Sequence, residues 1–297
     1  MVTLTRPEGT QPGDLDLSRR NLALALTGGY AVAAFSAQAQ PVKTDESGIV
    51  TATVQLSAAD RQIPAYLARP AGKGRHPAVL VVSEVFGVHE YIRDTCRRLA
   101  KAGYVAIAPD FFIRAGDPSV LSDFPAIMKI AATANDAQVT GDIAAALKFL
   151  KASAFVDRRR LAVTGFCWGG NVTWEACERF ADFKAGVAWY GRLVPPSTPS
   201  ASDPQGRHPI QMVADLKAPV LGLYAEKDTG IPLKDVDAMK AALKAAGKTT
   251  SDIVVYPGAQ HGFHADYRPS YNKEAADDGW KRMLAHFTRY GVKPLKA

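Results

Sequence analysis

The chain has 297 residues, 47% of them hydrophobic and 22% charged, with three cysteines and a formal net charge of +7. That is enough apolar sequence for one large core, and it excludes a disulfide-stapled miniprotein, a collagen-like repeat and a disordered chain. The basic residues are spread thinly, without the clustered arginine and aromatic pattern of a nucleic-acid surface. The charge therefore reads as a solvated surface with a bias toward small anionic substrates, and no nucleic-acid partner is expected.

The N-terminal stretch stands apart from the rest. Arg19 and Arg20 precede a moderately apolar run that ends at Phe35, and Ala37-Gln38-Ala39 has the small-x-small spacing of a cleavage site. This is the pattern of a twin-arginine export signal, which implies contact with the twin-arginine machinery and a periplasmic or secreted protein. Residues 1–39 are expected to be the signal and 40–297 the single mature domain. Gly28-Gly29 interrupts the run, so no membrane anchoring is expected once the signal is removed. The signal carries Arg6, Arg19 and Arg20 against Glu8, Asp14 and Asp16, so the mature charge stays +7.

Residues 51–56 and 63–68 predict two short strands, paired antiparallel and closed off by Pro70. The wholly apolar run 78–82 predicts a buried strand, followed by a helix over 90–102 and a strand over 104–108 that Pro109-Asp110 ends. Alternation then continues: helix 136–151, strand 161–164, helix 171–180, strands 185–190 and 220–224, helix 233–246, strand 251–256 and helix 270–290. Such alternation predicts an α/β fold, a mostly parallel sheet with helices on both faces. Two segments break it. Residues 111–125 follow a strand end and are expected to wall the site, whereas 192–209, rich in Pro and Ser, reads either as a lid or as a surface excursion.

The most informative motif is Gly165-Phe166-Cys167-Trp168-Gly169-Gly170, lying between a strand and a helix. Small residues two before and two after the apex permit the sharp turn that exposes a nucleophile, and here the apex is a cysteine. A thiol in that place is activated by a neighbouring base and by the helix N-terminus behind it. Asp228 follows the strand at 220–224 and His261 the strand at 251–256, so both fall on loops at the carboxyl edge of the sheet, in the order nucleophile, acid, histidine. His264 competes with His261 as base; His261 is preferred because it directly follows the strand end. Cys96 and Cys177 read as core residues on helices, and a bridge between them is not expected. The histidines are scattered and no CxxC occurs, so neither metal nor cofactor is expected.

Taken together, Ser83-Glu84-Val85-Phe86-Gly87, Gly103-Tyr104, Ala108-Pro109-Asp110-Phe111, the cysteine elbow, the Asp228 loop and His261-Gly262-Phe263 resemble the dienelactone hydrolase family of α/β-hydrolases. The likeness runs from about residue 50 to the C-terminus. It implies the α/β-hydrolase fold and hydrolysis of a small lactone or ester, with carboxymethylenebutenolide-type lactones as the leading substrate class. By motif position Cys167 resembles the nucleophile, His261 the base and Asp228 the acid. Glu84 resembles the catalytic glutamate that holds the resting thiol and takes its proton when substrate arrives; alternatively it is a structural acid held by an arginine.

Fold and resemblance put the oxyanion hole at the backbone N–H groups of Val85 and Trp168. Arg114 matches the first carboxylate-binding arginine of the family. The second is displaced: His264-Ala265 stands near its usual place, and Arg268 comes later. Phe86, Trp168, Trp189 and Phe263 are candidates for an apolar pocket or for plain core. The expected partner is a small lactone or ester bound by a monomer. A broad carboxylesterase or thioesterase, and a non-catalytic binding protein on the same scaffold, are the alternatives.

Overall fold

The computed structural model describes residues 42–196 and 208–294; the export-signal reading and residues 197–207 of the lid reading lie outside them. Strands β1 (Ile49–Ser57), β2 (Gln62–Pro70), β3 (His76–Val82), β4 (Val105–Pro109), β5 (Val156–Phe166), β6 (Phe183–Trp189), β7 (Val220–Ala225) and β8 (Asp252–Tyr256) form one sheet in the order β1-β2-β4-β3-β5-β6-β7-β8. The β1–β2 and β2–β4 pairs are antiparallel, and every other pair is parallel. The sheet is therefore mostly parallel, with its reactive edge at the carboxyl ends of β3, β5, β7 and β8.

Alternation of side chains along the central strands divides the core in two. Ala78, Leu80 and Val82 of β3 face one cluster, and Val79 and Val81 face the other. On the first face lie α2 (Phe124–Ala131), α3 (Asp136–Ala152), α4 (Trp168–Arg179) and α6 (Leu233–Ala245); on the second lie α1 (Glu90–Lys101) and α7 (Lys273–Arg289). Helix α1 shows why: Ile92, Cys96 and Leu99, one and two turns apart, are buried in the second cluster. A short helix, α5 (Pro209–Met212), precedes β7. Cys96 and Cys177 fall in different clusters, on opposite faces of the sheet, and all three cysteines are free.

Two elements depart from the sequence expectation. Part of the segment expected to be irregular is helical: α2 begins at Phe124, capped by Asp123, whose carboxylate accepts from the Ala126 N–H at 3.0 Å. Pro125 reads as a breaker, but in the first turn of a helix its missing N–H costs nothing. β5 starts five residues early, at Val156, because its exposed first half, Asp157 to Arg159, carries charges that mask the strand pattern.

Candidate active site

The turn from β5 into α4 explains the spacing of the elbow motif. Cys167 has φ 56° and ψ −115°, a left-handed conformation uncommon for a side-chain-bearing residue. A Cβ on Gly165 would lie 2.1 Å from the Gly169 carbonyl oxygen, and one on Gly169 would lie 2.3 Å from that of Val82. Glycine is thus required at both places, because backbone packs on backbone where α4 starts against the end of β3. The Cys167 N–H donates to the Trp189 carbonyl at 3.0 Å, tying the elbow to β6. The next residue along, Tyr190, is the other described non-glycine residue with positive φ, at 39°. Such strain, worth about 1–3 kcal/mol per residue, persists only where the surroundings enforce it.

The structure brings Cys167, His261 and Asp228 together. His261 Nδ1–H donates to Asp228 Oδ2 at 2.6 Å, and Cys167 lies close enough to the imidazole to raise its pKa. The other Asp228 oxygen, Oδ1, accepts from the backbone N–H groups of Gly230 and Ile231 at 2.9 and 3.1 Å. Burial opposes a charge on His261, but Asp228 and Cys167 outweigh it and raise the imidazole pKa to about 10. Tyr190 packs edge-on against that ring, with centroids 5.1 Å apart. His264, the other histidine weighed as base, is buried against Trp189 and Phe166, its Nδ1 is 2.6 Å from Tyr91 Oη, and burial drives its pKa well below the usual imidazole value.

Glu84 is 0% exposed at the end of β3, and both its oxygens are occupied. Arg268 Nη2 donates to Oε1 at 2.8 Å, Tyr267 Oη donates to Oε2 at 2.6 Å, and His89 Nε2 lies 3.7 Å from Oε2. Burial alone would raise the Glu84 pKa; Arg268, then His89 and Tyr267, more than offset it and hold it near about 2. The displaced arginine therefore reaches the site after all, but as the partner of Glu84. Gly262, at φ 77°, makes room for it: a Cβ there would sit 2.9 Å from Arg268 Cδ. Phe86 lies over the same guanidinium, with Arg268 Cζ 4.9 Å from the ring centroid.

Arg114 is found with partners other than those the resemblance implied. Its Nε and Nη2 donate to Asp60 at 2.8 and 2.7 Å, and its Nη1 and Nη2 donate to Asp142 at 2.8 and 2.9 Å. Val85 and Trp168 flank the point where α4 meets β3, and Trp168 packs on Phe112 with centroids 4.9 Å apart. Trp189 and Phe263, weighed as pocket residues, are fully buried core in mutual contact at 6.0 Å. Reasoning from sequence missed Tyr267, His89, Tyr190 and the two aspartates on Arg114. An aromatic beside a charge carries no spacing signal, and only adjacency to Arg268 marks Tyr267.

A mostly parallel sheet flanked by helices, with a cysteine at a strained strand-to-helix turn and Asp and His on later strand ends, defines an α/β-hydrolase. Comparison with known proteins narrows this. The sequence pattern of the Dienelactone hydrolase family matches residues 63–291. A Methylorubrum extorquens protein provisionally named carboxymethylenebutenolidase is 50% identical over 279 residues, 93% of this chain and 94% of that protein. A Bradyrhizobium protein provisionally named 2-oxo-3-(5-oxofuran-2-ylidene)propanoate lactonase is 34% identical over 222 residues, 75% of this chain and 87% of the relative. A crystal structure provisionally named dienelactone hydrolase, from Klebsiella pneumoniae, superposes with a TM-score of 0.76 at 47% identity, covering 82% of this chain and 99% of that one. The chain belongs to the dienelactone hydrolase family, and it is a hydrolase of ester or lactone bonds.

Proposed function

We propose that the protein hydrolyses a small lactone or ester through a thioester acyl-enzyme, with Cys167 as nucleophile, His261 as base and Asp228 as the group that orients and charges the imidazole. The observation that carries this reading is the 2.6 Å Asp228–His261 hydrogen bond, with Cys167 at a strained elbow close enough to raise the imidazole pKa. With the Cys167 proton already on His261, sulfur forms a bond to the carbonyl carbon as the C=O electron pair moves onto oxygen. The resulting oxyanion is received by the backbone N–H groups of Trp168 and Val85. Trp168 opens α4, where an N–H has no intrahelical acceptor, and the Gly169 contact sets it beside the end of β3. Collapse breaks the C–O bond, and the leaving oxygen takes the proton from His261. Water, deprotonated by His261, then cleaves the thioester and restores the thiol; from a lactone the product is a hydroxy acid.

The names of the relatives support lactones of the carboxymethylenebutenolide type as the reference substrate class. Hydrolysis of phenyl acetate by the purified protein, abolished by iodoacetamide and by Cys167→Ala, tests the chemistry. Retained turnover in Cys167→Ala removes the cysteine from the mechanism. We also propose that the protein acts as a monomer; light scattering of the purified protein checks it. We also propose twin-arginine export to the periplasm or beyond, on the strength of Arg19-Arg20 and Ala37-Gln38-Ala39. Mass spectrometry of the native protein should find a mature N-terminus at Gln40, and a retained Met1 terminus refutes it.

A further inference from the structure

We propose that residues 42–47 form a strap that positions the catalytic loop, with Asp266 as the positioning residue through which the strap acts on His261. The inference rests on the hydrolase reading above, in which His261 is the base, and adds to it a contact made from 224 positions away in the chain.

The backbone around His261 gives it little stiffness of its own. Gly258 and Gly262, on either side, have φ 69° and 77°, and glycine has the widest backbone freedom of any residue. Beyond them the loop is compact: the Ala265 N–H donates to the Gly262 carbonyl at 2.9 Å, and the Arg268 N–H donates to the Ala265 carbonyl at 3.0 Å. Asp266 lies within this pair of turns, 5% exposed, and its Oδ2 accepts from the Val42 N–H at 3.0 Å. Its Oδ1 has no hydrogen-bond partner among the described residues, so the strap satisfies a carboxylate that burial would otherwise penalise.

The strap is itself held on α1. The Thr44 N–H donates to Asp94 Oδ1 at 2.6 Å, Arg97 Nε donates to the Thr44 carbonyl at 3.1 Å, and Lys101 Nζ donates to Asp45 Oδ1 and to the Ser47 carbonyl at 2.7 and 2.6 Å. Asp94 is 1% exposed, and its charge is balanced by Arg97 and Arg98, each 3.0 Å away. Arg98 lies over Trp280 of α7, 5.2 Å from the ring centroid, and Trp280 stacks on His264, two residues before Asp266. Helix α1 packs on the sheet through Ile92, Cys96 and Leu99, so the strap joins the loop to a rigid element. Val42 is 49% exposed, and it acts through its N–H rather than its side chain. A loop free to shift by about 1 Å would misplace the imidazole relative to Cys167, and errors of that size cost as much as about 100-fold in rate.

A double-mutant cycle on phenyl acetate hydrolysis, run well below the melting temperature, tests the role. Val42→Pro removes the N–H at an exposed position, and Asp266→Ala removes its acceptor. Each should lower kcat about 10-fold with KM within about 2-fold of wild type, and the double variant should lose about 10-fold rather than about 100-fold, because both changes cut one contact. Asp266→Asn keeps an acceptor oxygen and should retain at least about half of the wild-type kcat. Melting curves establish that each variant is folded in the assay, and Val42→Pro carries the test alone should Asp266→Ala not fold. A wild-type kcat in Val42→Pro overturns the proposal, as do multiplicative losses in the double variant or a loss confined to KM; the hydrolase reading survives each of these results. No hydrolysis of phenyl acetate by the wild type refutes the hydrolase reading, and the positioning role with it.

Discussion

Two buried carboxylates stand at the same edge of the sheet and do opposite work. Asp228, 4% exposed, is paired with an imidazole that gains and loses a proton; Glu84, 0% exposed, is paired with a guanidinium that never does. Each would be costly to bury alone. In the first case the compensating charge is titratable, which suits the pair to the proton transfer proposed for it beside Cys167. In the second it is permanent, so the pair fixes the loop that follows His261 onto the end of β3.

Substitutions that exchange these behaviours test the contrast. The largest effect is expected for Cys167→Ala, which should lower kcat by at least about 10⁴-fold on phenyl acetate while the melting temperature changes little, since a single buried sulfur at a turn is removed. Loss of folding in place of loss of turnover would assign Cys167 to the core.

Asp228→Asn should cost roughly 10³-fold in kcat, because the imidazole loses both its orientation and its charge partner. It also has a pH signature. His261 is raised from 6.5 to about 10, so its ion pair stabilises the fold in full below pH 6.5 and ceases to do so as pH rises through about 10. The stability gap between wild type and Asp228→Asn, read by denaturant titration, should therefore narrow from neutral to strongly alkaline pH. A gap that widens with pH contradicts the assignment.

On the fixed-charge side, Arg268→Met should destabilise by about 3–5 kcal/mol, the range for stranding a buried charge. Glu84 is lowered from 4.5 to about 2, so this contribution is complete above pH 4.5 and is lost as pH falls through about 2. Denaturation midpoints of wild type and variant should converge in acid, and parallel curves would show that Glu84 is not the partner that matters. The smallest effect is expected from Tyr91→Phe, which removes the 2.6 Å hydrogen bond to His264. It should cost about 1 kcal/mol of stability and leave turnover nearly intact. A large loss of kcat would bring His264 back into the mechanism.

Much of the scaffold was legible because it rests on local rules. The unbroken apolar runs 78–82 and 220–224 and the one-sided apolar stripe of 90–102 place strands and helices from local pattern alone. The site was legible only in part. Cys167 announces itself through flanking glycines, since Gly165 and Gly169 answer a steric demand of the turn within five positions. Tyr267 and His89 announce nothing, because their role is defined by Glu84, which lies 183 positions away from Tyr267.

The sequence alone determined the parallel α/β scaffold, the strained elbow and the order of Cys167, Asp228 and His261, because periodicity, turn sterics and strand ends act over a few residues. Only the tertiary structure decided which histidine pairs with Asp228 and which carboxylates own the arginines. His264 is instead buried among Trp189, Phe166 and Tyr91. Arg268 reaches Glu84 across 184 positions, and Arg114 reaches Asp60 across 54. Such pairings follow from distance and desolvation in the folded molecule, two quantities that a linear pattern does not contain.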